Sequence, residues 1–371
     1  MKVGIVGAGP AGSYLAYMLA GLGAKVLLYD GRGAWEKPCG GGVPPKVHQM
    51  FPEIRVMDAP RREVSVGVFV SPEGREVRLE SRNPLWVVAR KDFNGYLLDL
   101  ARGEKGVTFR KRRVARVRRL RTRWMISGKD FEDRVDRIVG ADGANSLVRR
   151  AVAEAIPREM IAGTMGYFVE RKDEREAVSR FLDAPGYIWA FPRTDHICVG
   201  GGTCQKGYPI RQRVDAFVAE RFAGRKVLGR WAAPIPFIRD PSFFDRPVSG
   251  DGWFLVGDAA GHVDPITGEG ILYAMWGAKL LAKALAHDGD APYEELWRDA
   301  YGGELLRAVR MSGSFYAPGA MEWVFRVAMR SRTLREFLMD IMTDQPSYLA
   351  AAWNFRRRIP RILLEFAGLL R

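Results

Sequence analysis

Apolar residues recur along this chain in short runs separated by glycine-rich turns, and the period of each run assigns its element. Val3, Ile5 and Val6 lie in a run too short for a helix, which predicts a buried strand. A helical apolar stretch from Ser13 to Leu22 follows, closed by Gly23, and Lys25–Tyr29 reads as a second strand. Alternation at Val64, Val66, Val68 and Val70, a turn at Pro72-Glu73-Gly74 and renewed alternation at Val77 and Leu79 predict a hairpin. Trp86–Ala89 reads as a further strand, and a helix is expected from Arg90 to Ala101, with Asp92 near its start. Short strands follow at Val107–Phe109, Val114–Val117, Arg123–Ile126 and Val135–Gly140. Strand patterns then fill Met165–Gly202, a helix spans Pro209–Phe222, Trp253–Val256 is a buried strand, and a long apolar helix runs from Ile271 to His287. Tyr293–Arg371 is helical by composition. This order predicts an α/β protein: a Rossmann-like domain, an inserted mixed or antiparallel sheet, and C-terminal helices. The expected boundaries are 1–60, 85–160 and 240–290 for the discontinuous nucleotide-binding domain, 61–84 and 161–239 for the inserted sheet, and 291–371 for the helices.

The turns carry the chemistry. Gly7-Ala8-Gly9-Pro10-Ala11-Gly12 joins the first strand to the first helix, and Asp30 ends the second strand. In such a unit Gly7 makes the tight turn, Gly9 admits a pyrophosphate, and Gly12 lets helix and strand pack closely. The helix N-terminus offers free N–H groups and a positive dipole end. Asp30 suits a ribose hydroxyl, so a dinucleotide is expected; this stretch leaves NAD and FAD both open. Gly31–Pro45 is too rich in glycine and proline for regular structure, and Gly40-Gly41-Gly42 after Cys39 would let backbone approach something flat or charged. A surface loop is the bland alternative. Arg90 is either a phosphate contact or a surface arginine at a helix start. Ala141-Asp142-Gly143, with Ser146 and Arg149 downstream, is a second distinctive turn, in which Asp142 suits a helix cap. Gly257-Asp258-Ala259-Ala260-Gly261-His262 and Asp264-Pro265-Ile266-Thr267-Gly268-Glu269-Gly270 deliver another helix start, and Asp258 suits a polyol.

Composition narrows the partners. The 371 residues carry a net charge of +15, which invites nucleic acid or an anionic membrane. Fourteen lysines and arginines against five acids between Ala101 and Arg137 account for +9 of it. No zinc-finger spacing or basic recognition helix accompanies them, so an arginine-rich solvated surface is the expectation and nucleic acid is not. Cys39, Cys198 and Cys204 do not make a disulfide framework, which fits a reducing, cytoplasmic setting. No uncharged apolar run reaches the roughly 18 residues of a bilayer span, and the chain opens on its first strand with no signal peptide expected. Near the end, Ile359, Ile362, Leu363, Phe366 and Leu370 fall on one helical face beside Arg356, Arg357, Arg358 and Arg361. This basic amphipathic helix either lies peripherally on the inner face of an anionic membrane or packs on the body with its arginines in water.

GAGPAG near the start, ADG-x-x-S-x-V-R in the middle and GDAAGH-x-D-P-x-x-G-E-G late together resemble the FAD-dependent enzymes of the para-hydroxybenzoate hydroxylase fold. Within that fold, Tyr187-Ile188-Trp189-Ala190-Phe191-Pro192 followed by Gly200-Gly201-Gly202 resembles the Y-x-W-x-F-P signature of the geranylgeranyl reductases, as does the Pro38–Gly42 loop. The resemblance implies FAD and saturation of isolated double bonds in prenyl chains of lipids, prenyl diphosphates, chlorophyll or quinones. By position it implies that Gly7, Gly9, Ala11, Gly12 and Asp30 hold the adenine half. Cys39, Gly40, Gly42, Arg90 and Val114 would flank the cofactor, and Asp258, Gly268, Gly270 and Ile271 would meet its flavin half. Tyr187, Trp189, Phe191 and Pro192 would wall the prenyl pocket, with Cys39 or Tyr187 as proton source. No second dinucleotide unit is found, so NAD(P)H binding transiently or a ferredoxin-like carrier would supply electrons. A monooxygenase or halogenase of the same fold, and a membrane-surface electron carrier to quinone, are the rival readings.

Overall fold

The structure, a computed structural model, describes residues 1–286, 292–343 and 347–370. Expectations that fall on His287 and on the other positions between these ranges lie outside the described residues. Two compact units divide the chain: residues 1–37, 90–161 and 234–309 form one, and residues 38–89, 162–233 and 310–371 the other.

The first unit is built on a six-stranded sheet ordered Ser249–Gly250, Trp253–Leu255, Arg137–Gly140, Lys2–Val6, Lys25–Tyr29, Val107–Arg110. All neighbours but the first pair are parallel. Parallel strands are buried on both faces, which is why Val3, Ile5, Val26, Leu28, Ile138 and Val139 sit fully inside. The expected strand Val135–Gly140 is two strands. Phe131–Val135 belongs to a three-stranded antiparallel sheet and Arg137–Gly140 to the parallel one. The break falls at Asp136, whose N–H donates to the Lys2 carbonyl and whose carboxylate accepts the Lys2 N–H, each at 2.8 Å. The expected strand Val114–Val117 is observed as Arg116–Arg119, with Val117 inward and Arg116 and Arg118 in water. Ion pairs of Arg110 with Asp133, Arg119 with Asp251 and Arg123 with Asp136 hold part of this arginine-rich segment.

The second unit centres on an eight-stranded sheet ordered Val227–Pro236, Ile161–Glu170, His196–Thr203, Gly186–Pro192, Ala177–Phe181, Arg61–Val70, Glu76–Val88, Gly42–Val43. The expected hairpin and the expected strand at Trp86 are one hairpin. Its register jumps from Val66–Glu80 to Val64–Leu85, a bulge that accommodates Pro84, which lacks an N–H for the ladder. Gly42 and Val43 pair with Val87 and Trp86, which ties the Cys39 loop to this sheet. Strand alternation gives the sheet two distinct faces. Tyr167, Val169, Ile188, Ala190, Ile197 and Val199 pack against Val214 and Phe217 of the helix Ile210–Arg221. Phe168, Tyr187, Trp189, Phe191, Cys198 and Trp231 cluster on the other face.

The C-terminal helices Ala320–Arg330, Arg332–Thr343 and Tyr348–Phe366 join this unit through Phe325, Val327, Leu334, Phe337 and Ile362, packed with Phe69, Val77 and Leu79 of the hairpin. Glu365 fixes their junction. It accepts from the Ser331 hydroxyl at 2.6 Å, the Thr333 hydroxyl at 2.7 Å and the Thr333 N–H at 3.0 Å. Burial alone would raise this carboxyl, but those donors and Arg361 pull it down to about 2. The expected single apolar face of the last helix is split: Ile362 and Phe366 face the protein, whereas Leu363 and Leu370 are 56% and 45% exposed. Replacing Glu365 with alanine strands three donors and should cost about 2–3 kcal/mol. Because the folded carboxyl titrates below its unfolded value of 4.5, its contribution is full above that pH and disappears as pH falls toward 2. Urea unfolding at neutral and acid pH should therefore show wild type and Glu365→Ala converging in acid.

Candidate cofactor and substrate sites

In the first unit the three glycine-rich turns meet at the C-terminal ends of the parallel strands, where open α/β sheets bind ligands. Gly7 has φ +103°, and a Cβ on it would stand 2.2 Å from the Ala141 carbonyl oxygen. On Gly12 a Cβ would stand 1.9 Å from the Gly7 carbonyl oxygen. Only glycine permits both approaches. A Cβ on Gly9 meets nothing within 4 Å, so the space in front of the helix Pro10–Gly21 is open. No side chain caps that helix, which leaves its first amides and positive dipole end facing this space. Gly257, at φ +60°, packs on Ala11 and Ala274, which brings the third turn to the same place. The cradle fits the phosphates of a dinucleotide by its shape and its donors.

Asp30 lies at the end of its strand as expected, but part of its carboxylate is already engaged. One oxygen accepts the Ala8 N–H at 3.0 Å, and the other accepts those of Arg32 and Gly33 at 2.7 and 2.9 Å. The first oxygen keeps capacity for a hydroxyl. Val114 is buried in the segment next to this turn, where a Cβ on Gly31 would stand 3.3 Å from Arg113. Arg90 is 3% exposed rather than a surface residue; its guanidinium donates to the Asn94 amide oxygen, and its N–H to Glu36 at 2.9 Å. Asp258 sits at Gly270, with its Oδ1 3.3 Å from where a Cβ would stand, and Lys37 lies 3.5 Å from its Oδ2. Gly268, at φ +72°, closes the turn that Asp264 organises. Glu269 caps the next helix by accepting the Leu272 N–H at 2.9 Å, and it also draws on the Ile271 N–H. Ile271 thus already has an acceptor in its own turn. Burial, with Asp264 nearby, raises the Glu269 carboxyl to about 7.

Asp142 acts as a cap. It accepts the Ser146 hydroxyl and the Leu147 and Val148 N–H groups, the latter two at 2.7 and 3.2 Å. Arg149, the arginine that ends this turn's motif, braces it to the third turn. It is 1% exposed, lies over Phe243, and donates to the Ala259 carbonyl at 3.0 Å, so it ties the second turn to the third.

In the second unit the triple glycine has intramolecular reasons. Gly41, at φ +80°, would place a Cβ 2.3 Å from the Val88 carbonyl oxygen, and Gly40 would meet the Phe191 ring at 2.9 Å. Gly42 lies under Phe191 and Leu85. Within its own unit this backbone approaches the Phe191 ring. Arg193, fully buried, donates to the Cys39 carbonyl, and the Cys198 thiol also donates to it, at 3.0 Å. Burial pushes the Cys198 thiol up to about 11. Cys39 receives the Gly41 N–H on its sulfur at 3.4 Å.

Tyr187, Trp189 and Phe191 stand side by side on one face of Gly186–Pro192, and Trp231 joins them, its ring centroid 5.8 Å from that of Trp189. Pro192 pairs with Ile197 at the strand end. A Cβ on Gly200 would stand 2.5 Å from both indoles, and one on Gly166 2.5 Å from Trp231. These glycines clear the sheet so that two indole rings can lie on it. The pairing was not legible in advance, because Trp231 lies about forty residues from Trp189 along the chain and meets it only through the sheet order.

A family described as FAD binding domain matches residues 1–185. A geranylgeranyl diphosphate reductase of Rhodobacter capsulatus is 30% identical over 302 residues, covering 76% of this chain and 73% of that one. A digeranylgeranylglycerophospholipid reductase of Methanothrix thermoacetophila is 28% identical over 345 residues, with 84% and 86% covered. Among solved structures, a geranylgeranyl bacteriochlorophyll reductase-like protein of Thermoplasma acidophilum superposes with a TM-score of 0.75 at 23% identity, covering 100% of this chain and 99% of that one. A flavin-dependent brominase shares the fold at a TM-score of 0.73 and 19% identity, with 97% and 99% covered.

Gly9→Ala should leave the melting temperature of the unliganded chain unchanged while weakening FAD roughly tenfold or more, read by flavin fluorescence titration. Gly12→Ala should instead destabilise the chain itself by about 1–3 kcal/mol, because a backbone oxygen has to move. Gly200→Ala should shift the tryptophan near-ultraviolet dichroism and leave FAD stoichiometry unchanged.

Proposed function

This chain belongs to the geranylgeranyl reductase family of FAD-dependent oxidoreductases, and we propose that it saturates isolated C=C bonds in geranylgeranyl or other prenyl chains. The substrate class we infer is a prenylated membrane lipid, a prenyl diphosphate, or a chlorophyll or quinone precursor. The observation that carries this reading is the wall of Tyr187, Trp189, Phe191 and Trp231, which offers a prenyl chain flat apolar surface. Relatives acting on geranylgeranyl groups, by their names, support it. FAD, when bound, supplies a hydride from its reduced ring.

The chain's own residues do the rest. Ala11 and Gly12 hold the pyrophosphate with backbone amides, Asp30 the adenosine ribose, and Asp258 the polyol oxygens. An isolated alkene is unpolarised, so a hydride added to one carbon requires a proton at the other. A wall of aromatic rings keeps bulk water away, and the proton therefore comes from a held group. Cys39 or Tyr187 is the group we assign to that role. Arg193 and Cys198 fix the Cys39 carbonyl and so position its thiol. NAD(P)H or a ferredoxin-like protein is the proposed electron donor, and the inner face of the membrane the proposed place of work.

The shared fold with the brominase favours one rival, an oxygen-using halogenase or monooxygenase. Purified protein reduced under anaerobic conditions and mixed with geranylgeranyl lipid, geranylgeranyl diphosphate and prenyl quinones should be reoxidised, with product masses raised by pairs of hydrogens. Products that carry oxygen or halogen, or reoxidation only by oxygen, would replace this reading with the rival.

A further inference from the structure

The helix Tyr348–Phe366 has two apolar faces, and the fold uses only one. Ala351, Phe355, Ile362 and Phe366 turn inward with Leu334 and Phe337. On the opposite side, at helical spacing, stand Leu349, Trp353, Leu363 and Leu364, which are 63%, 62%, 56% and 40% exposed. Arg356 and Arg357 flank that stripe, both exposed and without an acidic partner among the described residues. The other two arginines of the helix are spent elsewhere, Arg358 on Asp340 and Arg361 on Glu365. The outward face contains no acid. The neighbouring helix Ala320–Arg330 combines the same residue types: Trp323 and Met329 are 58% and 56% exposed, with Arg326 and Arg330 between them around the helix. Arg330 lies over the Phe366 ring at 5.4 Å, which sets the ends of the two helices side by side.

We propose that the outward face of Tyr348–Phe366 is a docking surface for an anionic lipid bilayer. The helix lies in the plane of the surface, with Leu349, Trp353, Leu363 and Leu364 at the boundary of headgroups and acyl chains and Arg356 and Arg357 on lipid phosphates. Two features select this occupant. A tryptophan and leucines between arginines match the layering of a bilayer interface. A second copy in a two-fold contact would bring Arg356 and Arg357 against their own equivalents, where like charges repel. No helix among the described residues is long and apolar enough to cross a membrane. The placement depends on none of the substrate assignments above.

Flotation of the full FAD-loaded chain with vesicles tests it. Vesicles of phosphatidylcholine and phosphatidylglycerol in equal parts should carry wild type upward, pure phosphatidylcholine far less, and added salt should release it. Trp353→Ser with Leu363→Ser should abolish flotation at any salt. Arg356→Gln with Arg357→Gln should weaken it roughly fivefold per arginine at low salt. Both variants should keep the wild-type melting temperature and flavin content, since none of the four side chains belongs to the buried cluster. The proposal is overturned if wild type stays in the soluble fraction with both vesicles, or if both variants float like wild type. It is also overturned if wild type is a dimer that Trp353→Ser with Leu363→Ser makes monomeric, which would give the face to a second copy.

Discussion

Two backbone segments of the first unit stand closer than any side chain permits, and the cofactor cradle depends on that approach. The Gly7 carbonyl occupies the place where a methyl group on Gly12 would be, and the Ala141 carbonyl the place of one on Gly7. This compression sets the helix Pro10–Gly21 directly above its strand and leaves its uncapped start facing open space at Gly9. Glycine in such positions costs about 0.5–1 kcal/mol each in conformational entropy relative to alanine. Buried contacts of Tyr14, Leu15 and Leu19 offset it. From the other side, Asp142 caps the middle turn and Arg149 links it to the Ala259 carbonyl, so the three turns form one braced frame.

The second unit uses glycine for the reverse purpose. Gly166 and Gly200 remove their own side chains so that Trp189 and Trp231 can spread flat, and Gly40 and Gly42 do the same for Phe191. In the first unit, absent side chains at Gly7 and Gly12 let backbone close on backbone; here they make room for the protein's own rings. The result is a broad, rigid, apolar face with few rotatable bonds, which suits a long flexible chain whose ordering entropy already weighs against binding.

What could be read in advance followed from local rules. The glycine spacing, the acid after the second strand and the alternation of Tyr187, Trp189 and Phe191 are properties of contiguous residues. Residues whose role depends on the sheet order were not legible. Trp231 meets Trp189 only because the strands Ile161–Glu170 and His196–Thr203 lie between theirs. Arg149 stood out only as part of a motif and Arg193 not at all; partners more than a hundred residues away make both fixed braces. Helical periodicity likewise grouped Ile362 with Leu363, one residue apart, although only the contact with Leu334 and Phe337 decides which of them turns inward.

The strong positive charge takes on meaning once its arginines are sorted by surroundings. Arg90, Arg149 and Arg193 are buried and hydrogen-bonded, and they act inside the fold. Arg110, Arg119 and Arg123 are paired with aspartates on the small sheet. Charge that is already neutralised locally steers nothing over distance. At the C-terminal helices the balance differs, because two of the acids there are consumed internally: Glu322 on Arg75 and Glu365 on the Ser331 and Thr333 donors. Their withdrawal leaves Arg326, Arg356 and Arg357 exposed beside tryptophan and leucine. The same buried carboxylates that lock these helices together thereby concentrate uncompensated positive charge on their outer surface.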